Sequence, residues 1–251
     1  MEKATYSARK TIGKDKPRSK KEMIKHICWD LDGTLYRPTP RLEKELNALR
    51  LKLYVELTNK PENNATWMEY QALYTKFNSH SAVFASLGKP KEYWNSQRNQ
   101  LKVTTYLESE KRTLDMFEKF SKLGLTHGIF TDNMLGETKK ILAAMEIPRS
   151  IFKYILTIEQ VGEPKPSLSG FRKVIALSKV QPSEILFVGD RIYTDLVPAK
   201  QLGMQTALVW SDEMSTRQSL VTQSQASGLV LKHSEVDYTF PHVADVLEIF
   251  K

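Results

Sequence analysis

The sequence contains a single cysteine and lacks any long hydrophobic run. Cys28 has no second cysteine with which to form a disulfide in the chain, as is usual for a protein of the reducing cytoplasm. No stretch of about 18 apolar residues is present, so we expect no transmembrane helix. The polar, basic N-terminus lacks the apolar core of a secretory signal. These absences predict a cytoplasmic protein without a membrane span.

Two common kinds of site are also missing from the sequence. The five histidines do not have the spacing of a zinc site, and no glycine-rich nucleotide-binding loop occurs. The chain has 251 residues, of which 41% are hydrophobic. It is therefore long enough to form one large domain, or a core with an inserted domain.

Positive charge is concentrated near the N-terminus. Residues 1–25 contain nine lysines and arginines and only three acids, which gives this segment +6 of the total net charge of +8. We predict that residues 1–25 form a disordered, solvated tail. The less favoured interpretations are a nuclear import signal or a weak contact with nucleic acid or a membrane surface.

Short apolar segments alternate with helical patterns along most of the chain. Strands are predicted at His26–Leu31, Thr126–Phe130, Ile151–Ile158, Ile185–Val188 and Thr206–Trp210. Helices are predicted at Thr113–Leu123, Glu137–Met145, Leu168–Lys179, Leu196–Leu202 and Pro241–Phe250. This alternation is typical of an α/β fold, in which a doubly wound parallel sheet has a Rossmann-like topology.

Residues 37–104 differ from this pattern because they are helical throughout. Leucines recur at helical spacing between Leu42 and Leu57, and four aromatic residues between Trp67 and Phe77 share one helical face. An aromatic face of this kind more often packs in a helical core than binds a ligand. The segment is therefore predicted to be an inserted all-helical domain.

Four polar clusters follow predicted strands or lie in the loops after them. They contain Asp30 and Asp32, then Thr131 and Asn133, then Lys165, and finally Asp190. Because the carboxyl ends of parallel strands lie at the same edge of a sheet, we expect the four clusters to meet in one crevice.

The residue types in these clusters suit phosphoryl transfer. Close carboxylates at Asp30, Asp32 and Asp190 would repel one another, and Mg²⁺ with oxygen ligands would remove that repulsion. Lys165 and Thr131 can hold an anionic phosphoryl group opposite the metal. One ionised aspartate can attack phosphorus, while a second carboxyl group protonates the leaving oxygen.

The four clusters together resemble the motifs of the haloacid dehalogenase (HAD) superfamily, in its subfamily I phosphatase-like branch. The matching segments are Asp30-Leu31-Asp32-Gly33-Thr34, Thr131-Asp132-Asn133, Glu163-Pro164-Lys165-Pro166 and Gly189-Asp190-Arg191-Ile192-Tyr193-Thr194-Asp195. The resemblance implies a catalytic core formed by residues 26–36 and 105–251. It also implies that residues 37–104 are a helical C1 cap over the site.

The same resemblance implies a role for each site residue. Asp30 would be the nucleophile and a metal ligand, and Asp32 the general acid and base, with its backbone carbonyl also on the metal. Thr131, Asn133 and Lys165 would bind the phosphate. Asp190 would bind Mg²⁺, and Asp195 would support the metal site.

The resemblance predicts a Mg²⁺-dependent phosphatase that hydrolyses a small phosphorylated metabolite through an aspartyl-phosphate. Leu35-Tyr36-Arg37 and the helical cap are similar to pyrimidine 5′-nucleotidase-like members, so a nucleoside monophosphate is one candidate substrate. The fourth motif also resembles branches that act on glyceraldehyde 3-phosphate, phosphoglycolate or flavin mononucleotide. Arg37, Tyr70, Tyr74 and Trp94 are candidate substrate contacts, although packing within the cap is the favoured role.

Other functions of the superfamily remain alternatives. These are a sugar phosphomutase, a phosphonatase, a 2-haloacid dehalogenase and a non-catalytic interaction module. Asp32 argues against a dehalogenase, because attack on carbon needs no second acid to protonate an alkoxide. Degenerate members are expected to lose Asp30, Asp32 or Lys165, and this chain retains all three. A monomer and a homodimer are both compatible with the sequence.

Overall fold

The computed structural model describes residues 23–77, 79–209 and 235–251 of the chain. Most of the predicted basic tail, residues 1–22, lies outside these ranges, as does Trp210 at the end of a predicted strand. No helix of the described ranges has both the length and the apolar composition needed to cross a bilayer.

The described residues contain one six-stranded sheet in which every strand is parallel to its neighbours. The strands are β1 (His26–Trp29), β2 (Thr126–Phe130), β3 (Phe152–Leu156), β4 (Ile185–Gly189), β5 (Gln205–Val209) and β6 (Tyr238–Phe240). Their spatial order is β3-β2-β1-β4-β5-β6. The chain moves outward in opposite directions on the two sides of β1. A ligand crevice is expected at such a reversal point, outside the carboxyl ends of the strands. The predicted doubly wound parallel sheet is confirmed.

Alternate residues of the central strand supply two separate hydrophobic cores. Ile27 and Trp29 pack into one core with residues of the helices that follow β1 and of helix α5 (Lys111–Lys122), and Cys28 packs into the other. β1 is buried on both faces, so its sequence does not alternate between apolar and exposed polar residues.

Residues 40–106 form a helical segment between β1 and α5. It contains α1 (Pro40–Thr58), α2 (Asn64–Phe77), α3 (His80–Ser86), α4 (Tyr93–Arg98) and a 3₁₀ helix (Val103–Tyr106). The predicted helical character of this segment is thus confirmed. Helix α1 begins at Pro40 because the Thr39 side chain accepts the backbone N–H of Leu42. We call residues 37–104 the helical insertion.

The other helices cover the sheet. They are α5 (Lys111–Lys122), α6 (Leu135–Ala144), α7 (Ile158–Val161), α8 (Leu168–Ser178) and α9 (Val197–Gln201). A π-helical turn, Ile192–Leu196, precedes α9, and a 3₁₀ helix, Val243–Phe250, ends the chain.

Several predicted boundaries are wrong for identifiable reasons. The first strand ends at Trp29 rather than Leu31, because the chain turns at Asp30. The third strand ends at Leu156, since Thr157 is the N-cap of α7 and its backbone N–H donates to Oε1 of Gln160 at 2.8 Å. The helix predicted from Leu196 begins instead as the π-helical turn. The final helix is of the 3₁₀ type and starts at Val243, and the short strand β6 was not predicted.

Candidate active site

The loop after β1 passes close to the loop after β4. Asp30 directly follows β1, and its backbone N–H donates to the carbonyl of Val188 on β4 at 2.9 Å. Gly33 has a φ of +86°, and a Cβ placed on it would lie 2.3 Å from Oδ2 of Asp190. Glycine is required there because any side chain would overlap the Asp190 carboxylate. The Asp30 and Asp190 loops therefore meet, as the sequence predicts.

Three buried carboxylates form a cluster at this edge of the sheet. Oxygen atoms of Asp30, Asp190 and Asp195 all lie within 4.8 Å of one another. The expected cluster contained the Asp32 side chain, which instead points toward the helical insertion. The π-helical turn places Asp195 in the cluster, so Asp195 is closer to the centre of the site than the sequence indicates.

Lys165 joins two of these carboxylates. Its Nζ lies 2.6 Å from Oδ1 of Asp30 and 2.6 Å from Oδ1 of Asp195, and its side chain is fully buried. Burial alone would lower the pKa of Lys165, but the two carboxylates outweigh it and raise the pKa, so the ammonium stays charged. Arg191 is the second cation, with Nε 3.8 Å from Asp190 and 3.6 Å from Asp195.

The cluster carries more negative than positive charge when ionised. Three carboxylates face two cations, and burial, together with Asp195 and Asp190, raises the pKa of Asp30 to about 7 although Lys165 opposes the shift. Thr34 donates a hydrogen bond to the second oxygen of Asp30 at 3.1 Å. An all-carboxylate oxygen donor set with excess negative charge fits a hard divalent cation such as Mg²⁺.

Thr131 and Asn133 lie beside the cluster at the end of β2. Both are buried, and the Asn133 backbone N–H donates to Oγ1 of Thr131 at 3.2 Å. Between them, Asp132 accepts the backbone N–H of Lys165 at 3.0 Å and thereby fixes the loop that carries this lysine. The three predicted phosphate-binding residues are therefore brought together next to Asp30.

Asp32 is held by groups that surround its carboxylate. Nη2 of Arg98 lies 2.6 Å from Oδ1 of Asp32, and Nδ2 of Asn133 donates to Oδ2 at 2.6 Å. The hydroxyl of Tyr36 donates to Oδ1. Burial tends to raise the pKa of Asp32, but Arg98 and Tyr36 outweigh it and hold the pKa below its usual value. No sequence pattern marks Arg98, which lies 66 positions from Asp32 at the end of a short helix.

A cavity of about 130 Å³ opens between the carboxylates and the helical insertion. Its floor contains Asp30, Asp32, Thr131 and Asp190. Its other walls come mainly from the insertion and include Leu42, Leu46, Arg50, Tyr74, His80 and Trp94. The cavity is small compared with the several hundred Å³ of pockets that hold drug-sized ligands.

The four candidate substrate contacts in the helical insertion separate into two pairs. Tyr74 and Trp94 line the cavity. Tyr70 is instead fully buried in the helical core, where its hydroxyl is 2.6 Å from Nδ1 of His80. The Arg37 guanidinium donates to the carbonyl of Pro241, away from the cavity. Arg50, Arg98 and Arg191 are additional cavity residues that the sequence did not single out.

Comparison with known proteins gives a consistent result. Residues 27–209 match the family model described as haloacid dehalogenase-like hydrolase. A glyceraldehyde 3-phosphate phosphatase from Methanocaldococcus jannaschii is 27% identical over 196 residues, which are 74% of this chain and 85% of that enzyme. The enzyme of the same name from Pyrococcus furiosus is 29% identical over 149 residues, which are 59% of this chain. That alignment spans 56% of the Pyrococcus enzyme.

A solved structure supports the same fold. YfnB from Bacillus subtilis, in a form bound to magnesium, superposes with a TM-score of 0.59 at 16% identity. The superposition covers 92% of this chain and all of YfnB. At this identity the likeness establishes the fold alone.

Proposed function

The chain belongs to the haloacid dehalogenase-like hydrolase family, and we propose that it is a Mg²⁺-dependent phosphatase of small phosphomonoesters with Asp30 as the nucleophile. The observation that carries this proposal is the buried contact of Lys165 with both Asp30 and Asp195. It places the Asp30 carboxylate and the Lys165 ammonium beside the carboxylate cluster that suits a metal ion. Phosphoryl transfer requires these groups together.

Asp30, Asp190 and Asp195 are the side chains that fit a metal ion, and the backbone carbonyl of Asp32 is a further candidate ligand. When bound, Mg²⁺ supplies positive charge that reduces the repulsion between the nucleophile and the phosphate dianion. The structure of YfnB, which shares this fold, is of a form bound to magnesium, and this supports the choice of Mg²⁺ as the metal.

The side chains suggest the two halves of the reaction. Lys165, Thr131 and Asn133 hold the phosphoryl group while a carboxylate oxygen of Asp30 attacks phosphorus. The bond to the leaving oxygen breaks, and Asp32, which takes up a proton from solvent when the phosphate dianion binds beside it, gives that proton to the leaving oxygen. Asp32 then removes a proton from water, which attacks the aspartyl-phosphate and releases phosphate and free Asp30.

The cavity favours a substrate with a small leaving group. Its volume of about 130 Å³ and its cover of helices leave little room beyond the phosphate site. Polar and aromatic walls at Arg50, His80 and Trp94 suit a short hydroxylated or carbonyl-bearing group. The name of the Methanocaldococcus relative, a glyceraldehyde 3-phosphate phosphatase, fits this size class. A nucleoside monophosphate would require the helical insertion to move outward, as a cap can do.

A panel of phosphomonoesters assayed with Mg²⁺ and with EDTA tests this function. We expect release of phosphate from three- or four-carbon phosphates, its loss in EDTA and its loss in Asp30→Asn. Asp115→Asn, a partly exposed acid on α5, is the matched control and should retain activity. Acid quenching during turnover should trap a phosphorylated peptide containing Asp30. Metal-independent halide release from a 2-haloacid, or phosphatase activity that survives Asp30→Asn, would contradict the proposal.

A further inference from the structure

Arg98, in the helical insertion, contacts Asp32, the predicted general acid and base. It is the last residue of α4, and only 9% of it is exposed. One guanidinium nitrogen, Nη2, contacts Oδ1 of Asp32 at 2.6 Å and the hydroxyl of Tyr36 at 3.1 Å. The other, Nη1, donates to Oδ1 of Asn133 at 2.6 Å. The guanidinium thus bridges the loops after β1 and β2.

The contacts around Asp32 leave its carboxylate little freedom. Asn133 is bonded at the same time to Arg98 and to Oδ2 of Asp32. A planar guanidinium contacts a carboxylate in a defined orientation, which a flexible ammonium does not impose. The orientation of Asp32 therefore depends on a residue from the helical insertion.

A second contact fixes α4 against the same loops. Nδ2 of Asn95, one turn before Arg98, donates to the backbone carbonyl of Asp132 at 3.1 Å. Helix α4 therefore contacts the loop after β2 through Asn95, and contacts both loops through Arg98. The guanidinium can bridge the loops in this way only while the helical insertion lies against the sheet edge.

We propose that Arg98 is a positioning residue that orients Asp32 for proton transfer to the leaving group and makes this orientation depend on the closed position of the helical insertion. The inference rests on the proposed function. Arg98 and Asn133 each hold one oxygen of Asp32, so the direction in which Asp32 faces the leaving oxygen is fixed by these two contacts. The same contacts then present Asp32 as a carboxylate ready to accept a proton from water.

The dependence of rate on the leaving group separates this role from simple substrate binding. An alkoxide leaving from glycerol 3-phosphate needs a proton, whereas acetate leaving from acetyl phosphate does not. The ratio kcat/KM reports the steps up to departure of the leaving group and excludes the later hydrolysis of the aspartyl-phosphate. For Arg98→Met we expect kcat/KM to fall about 100-fold with glycerol 3-phosphate and less than about fivefold with acetyl phosphate.

Two further variants test whether Arg98 acts through Asp32. In Asp32→Asn the acid is already absent, so adding Arg98→Met should change kcat/KM for glycerol 3-phosphate less than about threefold. Arg98→Lys should recover only part of the activity, because an ammonium cannot reproduce the bridging contact. Arg41→Met is the matched control, since Arg41 is exposed and its guanidinium lies over the ring of Tyr106. It should behave like the unaltered protein with both substrates.

The outcomes distinguish the two proposals. Equal losses with glycerol 3-phosphate and acetyl phosphate, or no loss with either, would overturn the role of Arg98 while leaving the phosphatase function intact. Additive effects of Asp32→Asn and Arg98→Met would overturn it as well. If the unaltered protein with Mg²⁺ cleaved neither phosphate nor any member of the panel, the proposed function would fail, and the role of Arg98 would fail with it.

Discussion

Nζ of Lys165 lies 2.6 Å from Oδ1 of Asp30, although 135 positions separate the two residues in the sequence. Both side chains are buried, so neither charge is compensated by solvent. Lys165→Met would leave the carboxylates of Asp30 and Asp195 facing each other without this cation. We expect the metal-free variant to lose about 3–5 kcal/mol of unfolding free energy, measured by urea denaturation in EDTA.

Lys200→Met is the control for this change. Lys200 pairs with Asp237 at 2.7 Å, but both side chains are partly exposed. Its removal should therefore cost less than about 1 kcal/mol. A loss in Lys165→Met no larger than the loss in Lys200→Met would contradict the structural role of the buried pair.

The contact between Gly33 and Asp190 gives a second prediction. Gly33→Ala would force a side chain into the Asp190 carboxylate at a positive φ. We expect phosphatase activity to fall on the order of 100-fold, because the carboxylates would be displaced by about an ångström. The rate is measured under saturating Mg²⁺.

Gly88→Ala controls for backbone strain in that experiment. Gly88 has nearly the same φ, +83°, but a Cβ there would meet no atom within 4 Å. The variant should lose on the order of 1 kcal/mol of stability and keep its activity. Similar losses of activity in both variants would show that strain, rather than contact with Asp190, is responsible.

Binding of Mg²⁺ should stabilise the folded protein. At a concentration 100 times the dissociation constant, we expect an increase of about 2.7 kcal/mol in the unfolding free energy. Asp190→Asn should abolish most of this increase, and Asp115→Asn, at a partly exposed position on α5, should preserve it. Thermal unfolding with MgCl₂ and with NaCl of equal ionic strength provides the measurement. An equal shift in Asp190→Asn would place the metal elsewhere.

A buried histidine predicts a loss of stability at acidic pH. Burial lowers the pKa of His127 from 6.5 to about 4. Nδ1 accepts the indole N–H of Trp29 at 3.2 Å, and Nε2 is buried without a hydrogen-bond partner among the described residues. Protonation would therefore remove the acceptor that Trp29 uses. The unfolded chain binds this proton near pH 6.5, so the contribution of His127 to stability is present above that pH and declines as pH falls toward 4.

The loss of stability that is due to His127 can be measured by comparing the unaltered protein with a His127 variant. Between pH 7 and pH 5, His127 should account for a loss on the order of 2 kcal/mol. His127→Gln keeps an acceptor for Trp29 but does not titrate, so its unfolding free energy should depend less on pH. Urea denaturation at both pH values gives the difference. Identical pH dependences in the two proteins would exclude His127 as the source.

The sequence predicted the parts of the site that belong to strand ends. An apolar segment of strand length that is followed by Asp30 and Gly33, or by Asp190, can be recognised in the sequence. Aspartate and glycine are rare in strands and common in turns, so they mark where the strand ends. The parallel topology then determines which loops meet, so Thr131 and Lys165 could be assigned to the same crevice. Roles assigned through the resemblance, including the identity of the acid, remain predictions.

The residues that the sequence missed depend on tertiary packing. Arg98 lies in a polar stretch of the helical insertion, and its contact with Asp32 exists only because α4 lies against the sheet edge. The direction of the Asp32 side chain was missed for the same reason. The position of Asp195 follows from a π-helical turn, whose single extra residue per turn has no clear sequence signal. The three-residue strand β6 is too short for a period to be recognised.

The central position of β1 also affects how the protein is made. His26 is paired with Thr126 on one side and with Ile185 on the other. β1, which directly precedes Asp30, is thus translated well before both of its partners: β2 begins 100 positions later and β4 later still. Such non-local pairing slows folding. It also leaves β1, an apolar strand, unpaired and exposed during synthesis. The helices of the helical insertion contact their neighbours in the sequence. The insertion can therefore begin to fold before β4 has been translated and has paired with β1.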